Sequence, residues 1–272
     1  SRPITSLSLL LLLLGLCHTC LLTEGSEPGY YNNENESTGA RILAANSKAH
    51  ENLIEGDILE PSNIVTRNAK CKSECLWKKS RSGSVKVPYK ISNEYSPAER
   101  QLIESAMADF RKRTCIQFVP WKNQEDYISI ENGDGCFSSV GRVGGRQRLS
   151  LKRRGCMKLG IIQHEFIHAL GFYHEQSRSD RDKYVRINWQ NIKEKHKKNF
   201  NKHDTHNLDT PYDYGSIMHY GKHTFAIDRA KETIIPIPDA SVEIGQRKKM
   251  SKYDISKINH LYNCFKRKTR FL

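Results

Sequence analysis

Apolar residues recur at helical spacing through Leu102, Ile103, Ala106, Met107 and Phe110, which predicts a helix with one core-facing stripe. Its start is marked by Ser96-Pro97-Ala98-Glu99: serine as cap, proline at the first helical position and glutamate returning from the third. Shorter apolar runs predict strands at Val85 to Tyr89, Ile116 to Val119, Tyr127 to Ile130, Leu149 to Leu151 and Tyr184 to Trp189, with an interrupted strand over Thr233 to Pro238. Ile255 to Tyr262 reads as a closing helix, and no internal repeat is evident. This mixture predicts an α+β fold built on a sheet layer. The lysine-rich stretch Ile192 to Asn201 reads as a solvated segment, with His196, His203 and His206 as surface histidines.

The N-terminal run, Leu7 and Leu9 through Leu16, is too short and too near the terminus for a comfortable membrane span. It reads as a signal peptide over residues 1–20, with a signal anchor as the alternative; secretion without stable membrane insertion is expected. Residues 21–67 are polar and acidic, with little periodicity beyond Ile42, Leu43, Leu53, Ile54, Ile58 and Leu59, and read as a pro-segment rather than a domain. Asn35-Glu36-Ser37 within it is a glycosylation sequon. Residues 68–272 are then expected to form the main domain, ending in a basic tail.

Charge adds a partner class. The chain carries +14 and residues 1–67 are net acidic, so the excess positive charge lies in the domain that follows. Such a field favours nucleic acid, a heparin-like polymer or an acidic protein matrix, or else simply keeps the surface solvated. Nucleic acid is set aside, because no basic module with interleaved aromatics is present. Of the eight cysteines, Cys17 and Cys20 fall in the leader, and the remaining six suit three disulfides formed outside the cell. Spacing leaves their pairing open, and no Cys-x-x-Cys pair after the leader suggests thiolate ligation of a metal.

The sharpest signal is His164-Glu165-Phe166-Ile167-His168. On a helix the i,i+4 spacing puts both imidazoles on one face, able to meet one cation, with Glu165 beside them as a base. Gly171 can close the helix in a left-handed conformation and turn the chain so that His174 joins as third ligand. Three imidazoles leave a zinc position open for water, which separates a catalytic site from a structural one.

Gly171 through Asp182 resembles the extended signature of the astacin metalloproteases, and the resemblance runs from about residue 54 to 264. Within that family the chain is most similar to fish hatching enzymes, through its six cysteines and the opening Cys71-Lys72-Ser73-Glu74-Cys75-Leu76-Trp77-Lys78-Lys79. The resemblance implies a two-lobed metzincin-like domain, with a mixed twisted sheet and the zinc helix in the N-terminal lobe and an irregular C-terminal lobe after Gly171. It implies one Zn2+ per chain on His164, His168 and His174, with Glu165 as general base and then acid. Tyr220 is implied as a movable fourth ligand that stabilises the oxyanion, a packing tyrosine being the alternative, and Met218 as the Met-turn floor beneath the imidazoles.

Ile54-Glu55-Gly56-Asp57 is similar to the family's latency motif, with Ile54 where an aromatic residue is usual, and makes Asp57 the latch on the zinc. Cleavage after Arg67 by a trypsin-like activating protease is expected to start the mature chain at Asn68, whose amine is implied to reach Glu175. The implied disulfides are Cys71–Cys75, Cys115–Cys264 and Cys136–Cys156, and the implied substrate-binding edge is Cys136-Phe137-Ser138-Ser139. The expected activity is a secreted, monomeric endopeptidase, with storage in secretory granules an option, that cleaves extended egg-envelope glycoprotein. A six-cysteine astacin of another tissue acting on matrix or dietary protein is the nearest alternative. A silent basic matrix-binding protein is the alternative from another class, against which the intact Glu165 argues.

Overall fold

The computed structural model describes residues 37–60, 75–246 and 248–264. The expected signal peptide, residues 21–36, the Arg67-Asn68 cleavage point, Cys71 and the basic tail lie outside the described residues.

The predicted helix forms as α2 (Pro97–Arg113), once α1 (Thr38–Ala45) has been passed. Ser96 and Glu99 complete a reciprocal capping box, and Ile103, Ala106, Met107 and Phe110 are buried. Strands β3 (Val85–Ile91), β4 (Ile116–Pro120), β5 (Tyr127–Glu131) and β7 (Arg146–Leu151) contain the short runs read from the sequence, extended by one to three residues where the neighbouring ladder continues, and β6 (Cys136–Ser138) forms at the stretch implied to be the substrate edge. They join β1 (Leu53–Ile54) and β2 (Ile58–Leu59) in a seven-stranded mixed sheet of order β1-β2-β6-β7-β5-β3-β4. Strands β7, β5, β3 and β4 run parallel to one another, while β6 pairs antiparallel with β7.

One face of this sheet carries α2 and α3 (Leu159–Ala169). Every residue of α3 from Gly160 to Ala169 is buried, so the helix is enclosed all round rather than amphipathic. Phe166 of α3, Phe118 of β4 and Phe110 of α2 pack together with ring centroids 4.6 to 6.2 Å apart, which fixes the helix against the sheet. Its polar positions are also tied down: Gln163 donates to Asp109 Oδ2 at 2.9 Å, and the Ala169 carbonyl accepts from Trp77 Nε1 at 2.9 Å. The helix is therefore a rigid platform.

After Gly171 the chain is mostly turns and short 3-10 segments around a second core of Val185, Ile192, Phe200, Tyr212, Tyr220, Ile234 and Ile244. Strands β8 (Val185–Ile187) and β9 (Ile234–Pro236) pair antiparallel there. The last element, α4 (Lys252–Leu261), begins three residues before the predicted start because Ser251 and Asp254 form a second capping box. Disulfides join Cys115 to Cys264 across 149 residues and Cys136 to Cys156 across 20; Cys75 is also disulfide-bonded.

Two expectations change. Residues 38–59, read as an aperiodic part of a pro-segment, form α1 and the β1–β2 hairpin, with Ile42 and Ile58 buried and the hairpin extending the sheet. In α1 the buried positions Gly39, Ile42 and Ala45 recur at helical spacing over a single short run, whereas the two-residue strands are too short to show a period and Ile58 finds its partner on β6. The stretch Ile192 to Asn201 is not merely solvated: Lys193, Lys195 and Lys198 are exposed, but Ile192, Asn199 and Phe200 turn inward to the second core. Among the described residues no helix is long and apolar enough to cross a membrane.

Candidate metal centre

His164 and His168 project from one face of α3, and the chain then reverses at Gly171, whose φ of 106° suits glycine alone without strain. The turn is closed by Gly171 N–H donating to His168 O at 2.8 Å and Phe172 N–H to Ile167 O at 3.3 Å. His174 follows directly and is held in place when Glu175 N–H donates to Met218 O at 3.0 Å and Tyr220 N–H to Gln176 Oε1 at 3.0 Å. These bonds zip the loop after Gly171 to the loop Ser216–Tyr220. Met218 is buried there, within the main core.

The fourth member comes from the hairpin between β1 and β2. Asp57 Oδ2 lies 3.1 Å from His164 Nε2 and 3.3 Å from His174 Nε2, and Oδ1 lies 3.6 Å from His168 Nε2. All four residues are buried, and their ligating atoms lie within 4.8 Å of one another. The outer nitrogens are engaged: His164 Nδ1 donates to Ile217 O at 2.9 Å, His168 Nδ1 to Phe172 O at 2.7 Å and His174 Nδ1 to Glu55 Oε2 at 2.6 Å. With protons on Nδ1, the three Nε2 lone pairs converge, and those of His164 and His168 come within 3.0 Å. Lone pairs so placed repel unless a cation lies between them.

Charge gives the same answer. Glu55 and Asp57 are both buried beside three imidazoles, and two enclosed carboxylates need positive charge close by. Burial works against a charged Asp57, but the imidazoles around it, His174 foremost, hold it well below the usual carboxylate range. The donor set, three imidazoles and one carboxylate, fits zinc.

Glu165 stands beside this group with both carboxylate oxygens buried and, among the described residues, without a hydrogen-bond partner. Burial raises its pKa well above the usual range, and the charge of Asp57 adds to the rise. An unpartnered buried carboxyl next to a metal group can take and return a proton.

The hydroxyl of Tyr220, expected as a further ligand, donates here to the Glu55 carbonyl, and its ring lies 4.7 Å from that of His174. Glu175, expected to meet a new N-terminus, is bound by Lys257 Nζ, by Asp213 N–H at 2.8 Å and by Arg178 Nη1 at 3.3 Å; Asn68 lies outside the described residues. His203 is not simply a surface histidine. It stacks on Tyr173 with centroids 4.0 Å apart, and its Nε2 bonds Glu55.

The expected substrate edge, Cys136-Phe137-Ser138-Ser139, is β6 and the residue after it, and the hairpin covers it. Ile58 pairs with Ser138 in parallel, and Ser138 N–H donates to Asp57 O at 3.0 Å. Asn46 accepts from Cys136 N–H at 2.6 Å and donates to Cys136 O at 2.7 Å and Gly56 O at 2.8 Å. Gly56 has a φ of 83°, and a Cβ there would lie 2.3 Å from Leu43 Cδ2. Gly56→Ala is therefore expected to weaken hairpin docking by about 1–2 kcal/mol, seen as faster hydrogen exchange at the Ser138 and Glu60 amides.

Four residues of the centre escaped sequence reasoning: Glu55, Asn199, His203 and Lys257. Glu55 adjoins Asp57 in the same short motif, which was its one visible signal; the others carry none, because only the fold brings them to Glu55 or Glu175.

Residues 72–263 match the profile of Astacin, a peptidase family. The chain is 56% identical over 226 residues to high choriolytic enzyme 1 of Oryzias latipes, covering 82% of this chain and 83% of that one. It is 50% identical over 235 residues to the low choriolytic enzyme of the same fish, covering 85% of each. The solved structure of high choriolytic enzyme 1, described as a hatching enzyme zinc-protease, superposes with a TM-score of 0.70 at 57% identity, covering 72% of this chain and 98% of that one.

Proposed function

Because this chain belongs to the astacin family and is an astacin-type metalloendopeptidase closely related to hatching enzymes, we propose that it is a secreted zymogen that, once cleaved, hydrolyses egg-envelope protein. The observation that carries the latent form is Asp57: one carboxylate reaches all three imidazoles from a hairpin that also covers the β6 edge. Both the metal position and the peptide-binding edge are blocked by the same few residues. Cleavage after Arg67, with residues 1–20 as leader and 21–67 as pro-segment, is the proposed maturation. The two described disulfides with named partners suit an oxidising, extracellular setting.

In the mature form His164, His168 and His174 hold one zinc ion, and Asp57 is the fourth ligand only while latent. Zinc, when bound, polarises the scissile carbonyl and acidifies water. The freed β6 edge takes the substrate as an added strand, so main-chain bonding dominates recognition and an extended, unfolded stretch is required. Glu165 receives the proton of the attacking water and passes it to the leaving amine. Release of the hairpin removes Asp57's charge from Glu165 and leaves burial as the remaining cause of its raised pKa. Tyr220 loses the Glu55 carbonyl as acceptor, and its hydroxyl becomes free to donate to the developing oxyanion. Met218 supports the imidazoles from below. A new N-terminus at Asn68 would share Glu175 with Lys257.

The test is to express the full precursor, trim it with trypsin, and offer it casein and isolated egg envelope with and without a chelator. Cleavage of both is expected only after trimming, with loss on chelation and recovery on adding zinc. Cleavage that survives chelation would overturn the mechanism. Cleavage of casein but not of envelope would overturn the substrate and favour another secretory tissue.

A further inference from the structure

Glu55 is fully enclosed, yet the metal-holding and latching roles leave its side chain unused. Its carboxylate lies between His174 Nδ1, 2.6 Å from Oε2, and His203 Nε2 on Oε1. Its main chain is held as well: its N–H donates to Asn199 Oδ1 at 3.1 Å, and its carbonyl accepts from Tyr220. His203 is positioned in turn by its stacking on Tyr173 and by its own N–H donating to Ser177 O at 2.8 Å. The carboxylate is thus aimed from both ends.

The three imidazoles differ in who orients them. His164 and His168 are held by the carbonyls of Ile217 and Phe172, which stay with the catalytic domain. His174 is held by a side chain from the hairpin that maturation removes. An outer acceptor fixes the tautomer and orientation of a ligating imidazole and raises its basicity, and a carboxylate does so more strongly than a carbonyl.

We infer that Glu55 is a positioning residue for metal capture: the precursor carries both the fourth ligand and the outer partner of the third imidazole, and so binds zinc more tightly than the trimmed chain does. This rests on the reading of His174 as a ligand. The precursor is then the form that loads the metal, and trimming releases two of the groups that helped to hold it.

The test measures zinc affinity of the metal-free full precursor by competition with a chromophoric chelator, together with the visible spectrum of the Co2+-loaded protein. Glu55→Ala is expected to weaken zinc binding by about 10–100-fold and to change the cobalt spectrum, as the third imidazole loses its fixed orientation. Glu55→Gln, which keeps an oxygen for His174 but not the charge, falls between Ala and wild type. His203→Ala leaves Glu55 on His174 and has a smaller effect than Glu55→Ala. The trimmed wild-type chain is expected to bind at least ~10-fold more weakly than the precursor.

A folded Glu55→Ala precursor with wild-type affinity and spectrum would overturn the inference, as would a trimmed chain that binds as tightly as the precursor. If Glu55→Ala fails to fold, unchanged affinity in both Glu55→Gln and His203→Ala overturns it instead. His174→Ala that binds zinc as tightly as wild type would overturn the ligand reading itself, and this inference with it.

Discussion

Glu165→Gln is expected to yield a folded, zinc-binding protein whose trimmed form has kcat/KM lower by about 10²–10⁴-fold, the usual contribution of a positioned acid–base group. The substitution is nearly isosteric, so substrate binding and the metal group stay intact while the proton acceptor is lost. Its effect on stability should have the opposite sign. Both oxygens of Glu165 are buried without a partner, and a neutral amide is less costly to bury there than a carboxylate. Thermal unfolding of the precursor should therefore shift upward while hydrolysis collapses, a pairing typical of residues kept for activity rather than for the fold. Retention of kcat/KM within tenfold would sink the assignment of Glu165 as base.

Asp57→Ala is expected to turn the untrimmed precursor into a leaky enzyme. Hydrogen bonds to a charged group contribute about 1.5–3 kcal/mol, so removing the carboxylate from three imidazoles should raise the open fraction, and precursor hydrolysis, by about 10–100-fold. The leak stays partial because the hairpin keeps its other attachments: Asn46 still binds Cys136, Ile58 still pairs with Ser138, and Glu55 still lies between His174 and His203. Trimmed wild-type and trimmed mutant chains should be equally active, since neither retains residue 57. A mutant precursor as silent as wild type would show that covering the β6 edge, rather than filling the metal position, enforces latency.

Much of this arrangement is local and was therefore readable. The capping box at Ser96 and Glu99, the core stripe on α2 and the His164, Glu165, His168 face each depend on residues within one or two helical turns. Gly171 was readable for the same reason, since the left-handed turn it makes belongs to its own backbone. The resemblance to astacins added the third histidine's neighbours and the pairings Cys115–Cys264 and Cys136–Cys156, which spacing left open.

What was misread is non-local. Ile58 looks like a stray apolar residue in an acidic stretch, because a two-residue strand has too few positions to show a period and its partner, Ser138, lies 80 residues away. Phe200 and Asn199 sit in a lysine-rich run whose composition masks the side turned to the core. His203 has the polar neighbours of a surface residue, and only the packing of the C-terminal lobe against the hairpin places it on Glu55.

The chemistry of the centre was thus written along the chain: three imidazoles, a base and a closing glycine, since helix periodicity alone sets which side chains share a face. Which acceptor orients each imidazole, which cation meets Glu175, and where the hydroxyl of Tyr220 points were settled by folding. Apart from Phe172, four residues beyond His168, these partners lie 53 to 165 residues away in sequence. Tertiary packing, including that of the hairpin against the C-terminal lobe for Glu55, rather than any local preference, brings them within hydrogen-bonding distance.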